Sequence, residues 1–95
     1  MDTSPRQGEQ SEVAVASELM RKGYGVSFPF GHEHQYDLIA DRDGELYRIQ
    51  VKTAKQEGNR YYIPADAEQY DDAYVDLFAG YAEAGVATFY IPEIG

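Results

Sequence analysis

The fold is decided by residues 36–52, which read YDLIADRDGELYRIQVK. Two runs of alternating and β-branched residues flank the dipeptide Asp43-Gly44, and this combination is the strongest local signal for a β-hairpin with a two-residue turn. If that dipeptide forms the turn, counting outward sets Asp37 opposite Gln50. The sequence therefore predicts a hairpin with a defined register.

This register gives the two faces of the hairpin different characters. One face collects the apolar side chains, which are Leu38, Ala40, Tyr47, Ile49 and Val51. The other carries Asp37 and Gln50, whose Cβ atoms would be roughly 5 Å apart, with Lys52 roughly 7 to 8 Å away on the diagonal. A turn longer or shorter by two residues would keep these faces but slide Asp37 against Arg48 or Lys52.

The polar face has two interpretations. Taken singly, each of its three residues is an ordinary solvated side chain. Taken together, an acid, an amide and an ammonium lie close to a buried surface, and burying such groups costs free energy unless they pair with one another or bind a cation.

These residues and the helix before them resemble a known superfamily. The order Ser11-Glu12 on a first helix, Asp37 on a strand and Gln50-x-Lys52 on the next strand resembles the PD-(D/E)XK nuclease superfamily. Within it, the sequence IQVKT after YDLI is similar to the group I intron-associated homing endonucleases, where glutamine stands in place of the usual second acid.

The resemblance implies a restriction-endonuclease-like α/β domain spanning residues 1–95, with residues 1–3 frayed. Its core would be a mixed, mostly antiparallel sheet with the amino-terminal helix packed on one face. The likeness runs from about Gly8 to Thr53 and resumes from Tyr74 to Pro92. Residues 74–80 can be counted as a helix or as a buried strand, and the resemblance favours a strand in a hairpin with residues 86–91.

The resemblance also implies a Mg²⁺-dependent DNA endonuclease, with Mn²⁺ as the alternative ion. Asp37 would be the main carboxylate ligand, and the Gln50 side-chain oxygen and the Val51 carbonyl would be neutral ligands, as suits a hard cation. Lys52 would orient or help deprotonate the attacking water. Because glutamine removes one negative charge, Glu12 is the candidate for a further carboxylate beside the metal. Periodicity alone fits a solvent-facing helix glutamate equally well, and the resemblance favours the metal role.

The first helix is predicted from its end signals. Residues 4–7 have the form of a capping box, and Lys22-Gly23 has the form of a helix end. Between these ends, Glu12 borders an inward stripe. The stripe is predicted to contain Val13, Ala16, Leu19 and Met20.

Further elements follow on either side of the motif. Residues 25–28 are predicted to form a short strand, and residues 29–35 a loop that leads into the site and could touch DNA. Beyond Lys52, residues 53–59 are polar, and residues 60–63 are predicted to form a strand. Lys55 and Arg60 would contact phosphates near the site, or else lie in a plain solvated loop.

The charge of the chain is unusual for a nuclease. Its 95 residues carry 17 acids and 8 bases, for a net charge of −9, whereas nucleic-acid-binding proteins usually show a basic patch. All lysines and arginines lie within residues 1–60, and the only charged residues among 61–95 are Asp and Glu. This excess of acid suggests adaptation to molar salt, where the Debye length of about 3 Å screens repulsion from DNA.

Composition also limits the class of protein. The absence of cysteine excludes disulfides and zinc-thiolate sites. No apolar run is long enough to cross a bilayer and no signal-peptide pattern is present, so we expect a cytoplasmic protein, from a high-salt organism if the charge has the meaning given above.

One small domain offers little surface for reading a long DNA site, and a homodimer or homotetramer would supply more. Two alternatives stay open. One is a structure-specific nuclease similar to Holliday-junction resolvases, and the other is a non-catalytic acidic binding module or DNA mimic. A mimic of phosphate charge has no use for an ammonium at Lys52, so this residue favours a nuclease.

Overall fold

One helix packs on a five-stranded sheet in the computed structural model, which describes residues 4–31, 34–63, 74–82 and 87–94. The elements of this domain are α1 (Ser4–Arg21), β1 (Gly25–Ser27), β2 (Leu38–Arg42), β3 (Glu45–Thr53), β4 (Lys55–Glu57), β5 (Arg60–Tyr62), β6 (Leu77–Ala82) and β7 (Ala87–Ile91). The sheet has the order β1-β2-β3-β6-β7, and only the β3–β6 pair is parallel. The predicted mixed, mostly antiparallel sheet is confirmed.

The β2–β3 hairpin has the predicted register, from Arg42 opposite Glu45 at the turn to Leu38 opposite Ile49. Its turn residues have positive φ values, 57° at Asp43 and 84° at Gly44, as a two-residue turn of the primed type requires. The apolar face lies under α1. Leu38, Ala40 and Ile49 are fully buried there, and Tyr47 and Val51 pack against them.

The inward stripe of α1 differs from the prediction at two positions. Val13 and Met20 are 65% and 59% exposed, so their predicted burial is wrong. The stripe follows a spacing of four residues and consists of Ser11, Val15, Ala16 and Leu19. Counting apolar residues missed Ser11, whose hydroxyl is satisfied by a 3.2 Å hydrogen bond with the Thr53 hydroxyl on β3.

The end of α1 is formed by the predicted glycine. Gly23 adopts a φ of 96°, and its N–H donates to the Met20 carbonyl while the Tyr24 N–H donates to the Leu19 carbonyl. This is the Schellman arrangement, which satisfies the last carbonyls of a helix. It turns the chain so that Tyr24 is buried against the core. Among the described residues, no helix is long and apolar enough to cross a membrane.

The carboxyl-terminal part of the sheet follows the strand interpretation. β6 runs parallel to β3 and antiparallel to β7, so the strand predicted around residues 74–80 is confirmed, with bounds shifted to 77–82. The turn predicted at residues 83–85, and the frayed residues 1–3, lie outside the described residues.

The polar segment after β3 is not a plain loop. β4 and β5 pair as a separate two-stranded hairpin, with Glu57 opposite Arg60 across the turn residues Gly58 and Asn59. Gly58 has a φ of 63°, which glycine adopts at little cost. Sequence reasoning missed this hairpin because most of its side chains are exposed and polar, so the segment lacks the apolar alternation that predicts a strand.

An arginine–aspartate pair fastens the parallel strands together. The Arg48 backbone N–H donates to Asp76 Oδ2 at 2.7 Å, and its guanidinium donates to both carboxylate oxygens at 3.0 and 2.9 Å. The Asp76 N–H donates in turn to the Arg48 carbonyl at 2.8 Å. The Arg48 hydrogen bond holds the pKa of Asp76 below its usual value, against the opposing effect of burial.

We expect Asp76→Asn to lower the free energy of unfolding by about 1 kcal/mol at neutral pH, since the pair is about a third exposed and partly screened. A lowered folded-state pKa means that the carboxylate stabilises the fold above its unfolded pKa of 3.8. That stabilisation is lost as the pH falls through the folded pKa. The difference between wild type and variant, measured by urea unfolding, should therefore shrink as the pH falls below 3.8. Glu57→Gln, at an exposed carboxylate of the outer hairpin, should show no such loss; an equal loss would argue against the pair.

Candidate active site

Asp37 lies one residue before β2, where the hairpin ladder has ended. The last pair of the ladder is Leu38 with Ile49. The Asp37 N–H donates to the Ile49 carbonyl at 2.8 Å, and its carboxylate Oδ2 accepts the Val51 N–H at 2.7 Å. The carboxylate thus takes the place of a backbone carbonyl at the edge of β3. It sits beside Val51 rather than in a regular cross-strand pair with Gln50.

The Val51 carbonyl shares this edge with Asp37. In an extended strand the N–H and C=O of one residue point to the same side, because paired residues exchange both bonds. Since the Val51 N–H points to Asp37, its carbonyl oxygen points to the same open edge. The geometry therefore allows this carbonyl to be the ligand that the family resemblance implies.

Gln50 and Lys52 flank Val51 on β3. They alternate with Ile49, which is buried under α1, so their side chains leave the sheet on the opposite face. Both side chains are partly buried. Burial raises the pKa of Asp37, and the hydrogen bond from the Val51 N–H and the nearby charge of Lys52 partly oppose that rise.

Glu12 meets Asp37 in a cleft between α1 and the start of β2. The cleft has a volume of about 380 Å³, and its lining consists of Glu9, Glu12, Phe28, Pro29, Gly31, His34, Tyr36 and Asp37. Gln50, Val51 and Lys52 are not part of this lining. Of these three, Val51 is hydrogen-bonded to the Asp37 carboxylate and Lys52 acts on it electrostatically, whereas no described contact joins Gln50 to Asp37. Burial raises the pKa of Glu12, and the neighbouring Asp37 and Glu9 raise it further.

The cleft brings the Glu12 and Asp37 carboxylates together, and carboxylate oxygens are the kind of ligand that hard cations prefer. Two carboxylates in one partly buried cleft repel each other when ionised, and a divalent cation removes that repulsion. Within the described ranges, no three His, Asp or Glu side chains are arranged so that all three could hold one metal ion. An ion here would therefore bind two carboxylates, neutral oxygens and water, which is the coordination that Mg²⁺ commonly has in proteins.

Several lining residues were missed by sequence reasoning. Glu9 lies one helical turn before Glu12, so the helical period was the available signal for it. His34 and Tyr36 precede Asp37 in the loop, which was expected to lead into the site. Nothing in the local sequence indicated that His34 and Tyr36 would line the same cleft as residues of α1.

Lys55 and Arg60 lie on the outer hairpin. Lys55 faces Tyr62 and Arg60 faces Glu57, so the two basic side chains share one face as diagonal neighbours, roughly 7 to 8 Å apart. Both residues are exposed. Their contact with phosphates stays a prediction.

Comparison with known proteins agrees with this architecture. Residues 1–94 match the family model described as PD-(D/E)XK endonuclease. Protein 5.3 of Escherichia phage T7 is 38% identical over 47 residues, which cover 50% of this chain and 40% of the phage protein. A bacterial homing endonuclease, I-Ssp6803I, has a similar structure, with a TM-score of 0.77 and 24% identity over 95% of this chain and 65% of that one. The chain thus spans less than two thirds of either relative. By the family match over nearly its whole length, the chain belongs to the PD-(D/E)XK endonuclease family.

Proposed function

We propose that this protein is a DNA endonuclease that depends on a divalent metal ion, Mg²⁺ or alternatively Mn²⁺. The observation that carries the proposal is the cleft shared by the Glu12 and Asp37 carboxylates, with Lys52 close to Asp37. Membership of the PD-(D/E)XK endonuclease family supports it.

The proposed reaction is hydrolysis of a phosphodiester. Water adds to phosphorus, one P–O ester bond breaks, and the leaving alkoxide takes up a proton. Asp37 and Glu12 would hold the ion, together with the Val51 carbonyl and the Gln50 side-chain oxygen. A bound ion supplies positive charge to the phosphoryl oxygens and lowers the pKa of a bound water. Lys52 would orient the attacking water and hold the phosphate as a point charge.

The acidity of the chain favours a second candidate. A net charge of −9 suits a non-catalytic module that imitates DNA and occupies a DNA-binding enzyme. For the nuclease, the same acidity leads us to propose that it acts in the cytoplasm of a high-salt organism and uses two or four copies to enlarge its DNA surface. Lys52 beside Asp37 distinguishes the candidates, because a mimic gains nothing from a cation there.

The proposal is tested by incubating the full chain with supercoiled, linear and four-way-junction DNA, at low and molar salt, with and without Mg²⁺. We expect nicking that requires the ion and stops when it is chelated. Preference for the junction would identify a structure-specific nuclease. No cleavage of any of these DNAs at any salt would contradict the nuclease and favour the acidic module.

A further inference from the structure

The loop between β1 and β2 presents aromatic side chains at the mouth of the cleft. Phe28 and Tyr36 are part of the cleft lining, and Phe28 is 55% exposed. Phe30, two residues on, is 100% exposed. A phenyl ring fully in water makes no contribution to the core. Its chain neighbours Pro29 and Gly31 both line the cleft, so the ring lies where a substrate entering the cleft can reach it.

The backbone that carries Phe30 is held in place. The His34 Nε2 lies 2.8 Å from the Phe30 carbonyl oxygen and donates a hydrogen bond to it. Gly31 turns the chain with a φ of 101°, and the His34 ring packs 5.7 Å from the Tyr36 ring, between centroids. A ring presented on a constrained backbone loses less conformational freedom when it binds than one on a mobile loop.

The charges around the cleft indicate what chemistry the ring can meet. The helix side carries Glu9 and Glu12, with Asp37 at the base, and these carboxylates repel phosphates. The described residues of the loop, 28–31 and 34–36, include no acid, lysine or arginine. The sequence places one acid in this loop, Glu33, which lies outside the described residues. The aromatic rings of the described part suit the flat face of a nucleobase better than the DNA backbone.

We propose that Phe30 stacks on an unpaired nucleobase of the strand that enters the cleft, so that the preferred substrate is DNA with splayed or single-stranded bases beside the cleaved phosphate. This inference rests on the proposed nuclease function and names its substrate class. Aromatic stacking accepts every base, because each has a π-face, and it therefore selects structure rather than sequence. In an intact duplex both faces of a base are already covered by its neighbours.

The inference is tested with kcat/KM for two DNAs of the same sequence, one fully paired and one with a splayed arm. Wild type should prefer the splayed arm. Phe30→Ala should lower kcat/KM on the splayed arm by roughly 5- to 150-fold, the range of a lost base stack, and should change the paired DNA much less. Phe30→Trp should retain the preference, whereas Phe30→Leu, which keeps apolar surface without a π-system, should not.

Leu46→Ala is the matched control, since Leu46 is 66% exposed and pairs with Asp41, about 13 Å along β2 from the position of Asp37. It should match wild type on both DNAs. The stacking inference alone fails if wild type cleaves both DNAs but Phe30→Ala keeps the wild-type preference, or if Phe30→Leu is as active as Phe30→Trp. If wild type cleaves neither DNA, the nuclease proposal fails and this inference with it. Because the Phe30 ring is fully exposed, the Phe30 variants should unfold at the wild-type urea concentration.

Discussion

Asp37→Asn is expected to abolish Mg²⁺-dependent DNA cleavage and to leave the fold intact. The change removes one of the two carboxylates that would hold the ion, and loss of several kcal/mol of charge stabilisation corresponds to a rate at least about 10³-fold lower. The asparagine side-chain oxygen can still accept the Val51 N–H that Asp37 accepts at 2.7 Å. Single-turnover cleavage assays measure the first effect, and urea unfolding without metal measures the second.

The unfolding measurement has an expected sign. Burial raises the pKa of Asp37 above its usual value, so ionisation of this group costs folding free energy at neutral pH. A neutral asparagine avoids that cost, and the metal-free variant should be at least as stable as the wild type. Stability and activity would then move in opposite directions, which distinguishes a functional carboxylate from a structural one.

Metal binding supplies a readout that does not depend on cleavage. Mg²⁺ at 100 times its dissociation constant should stabilise the wild type by about 2.7 kcal/mol, and Asp37→Asn should lose most of this gain. Asp43→Asn is the control, because Asp43 lies in the hairpin turn with a φ of 57°, which asparagine tolerates well. Wild-type cleavage by Asp37→Asn would rule out the proposed site.

Lys52→Met is expected to lower the cleavage rate by about 10²- to 10⁴-fold, the range for loss of a group that assists proton transfer. Methionine keeps most of the length of the partly buried side chain and removes its charge. Loss of the ammonium also removes an influence that lowers the pKa of Asp37, so the variant should need more Mg²⁺, most clearly at mildly acidic pH. Rates measured against Mg²⁺ concentration at two pH values separate the two effects.

Lys55→Met provides a matched control for this change, since it makes the same substitution at an exposed lysine on the outer hairpin. If Lys55 contacts a phosphate, its loss should raise KM and leave kcat close to wild type. Equal losses of kcat in both variants would mean that overall charge, rather than the position of Lys52 beside Asp37, accounts for the effect.

The parts of the fold that the sequence predicted are those controlled by local geometry. Asp43-Gly44 sets the register of the hairpin because few residues accept two successive positive φ values, and the alternation of β3 then assigns its two faces. Gly23 ends α1 for a similar reason. In each case the backbone conformation is determined by steric limits on a few neighbouring residues, so it can be predicted from the local sequence.

The parts that were missed depend on contacts between distant segments. The burial of Ser11 requires Thr53 on another element, so the apolar pattern of α1 alone pointed to Val13 and Met20. The position of Asp37 depends on where the ladder stops, which register counting does not reveal. The cleft itself combines a helix with a loop, and its shape follows from tertiary packing rather than from the pattern of either segment.

The bond between Asp37 and the Val51 amide has a consequence for solubility. β3 continues to Thr53 after its pairing with β2 has ended, and among the described residues no strand pairs with this edge beyond Ile49. An unpaired strand edge invites strand addition by a second molecule and hence aggregation. Because the Asp37 carboxylate accepts the Val51 N–H, that N–H cannot donate to an incoming strand. The negative charge of the carboxylate also repels the carbonyl oxygens of such a strand. Asp37, which is proposed to bind the metal ion, would therefore also reduce strand addition at this edge of the sheet.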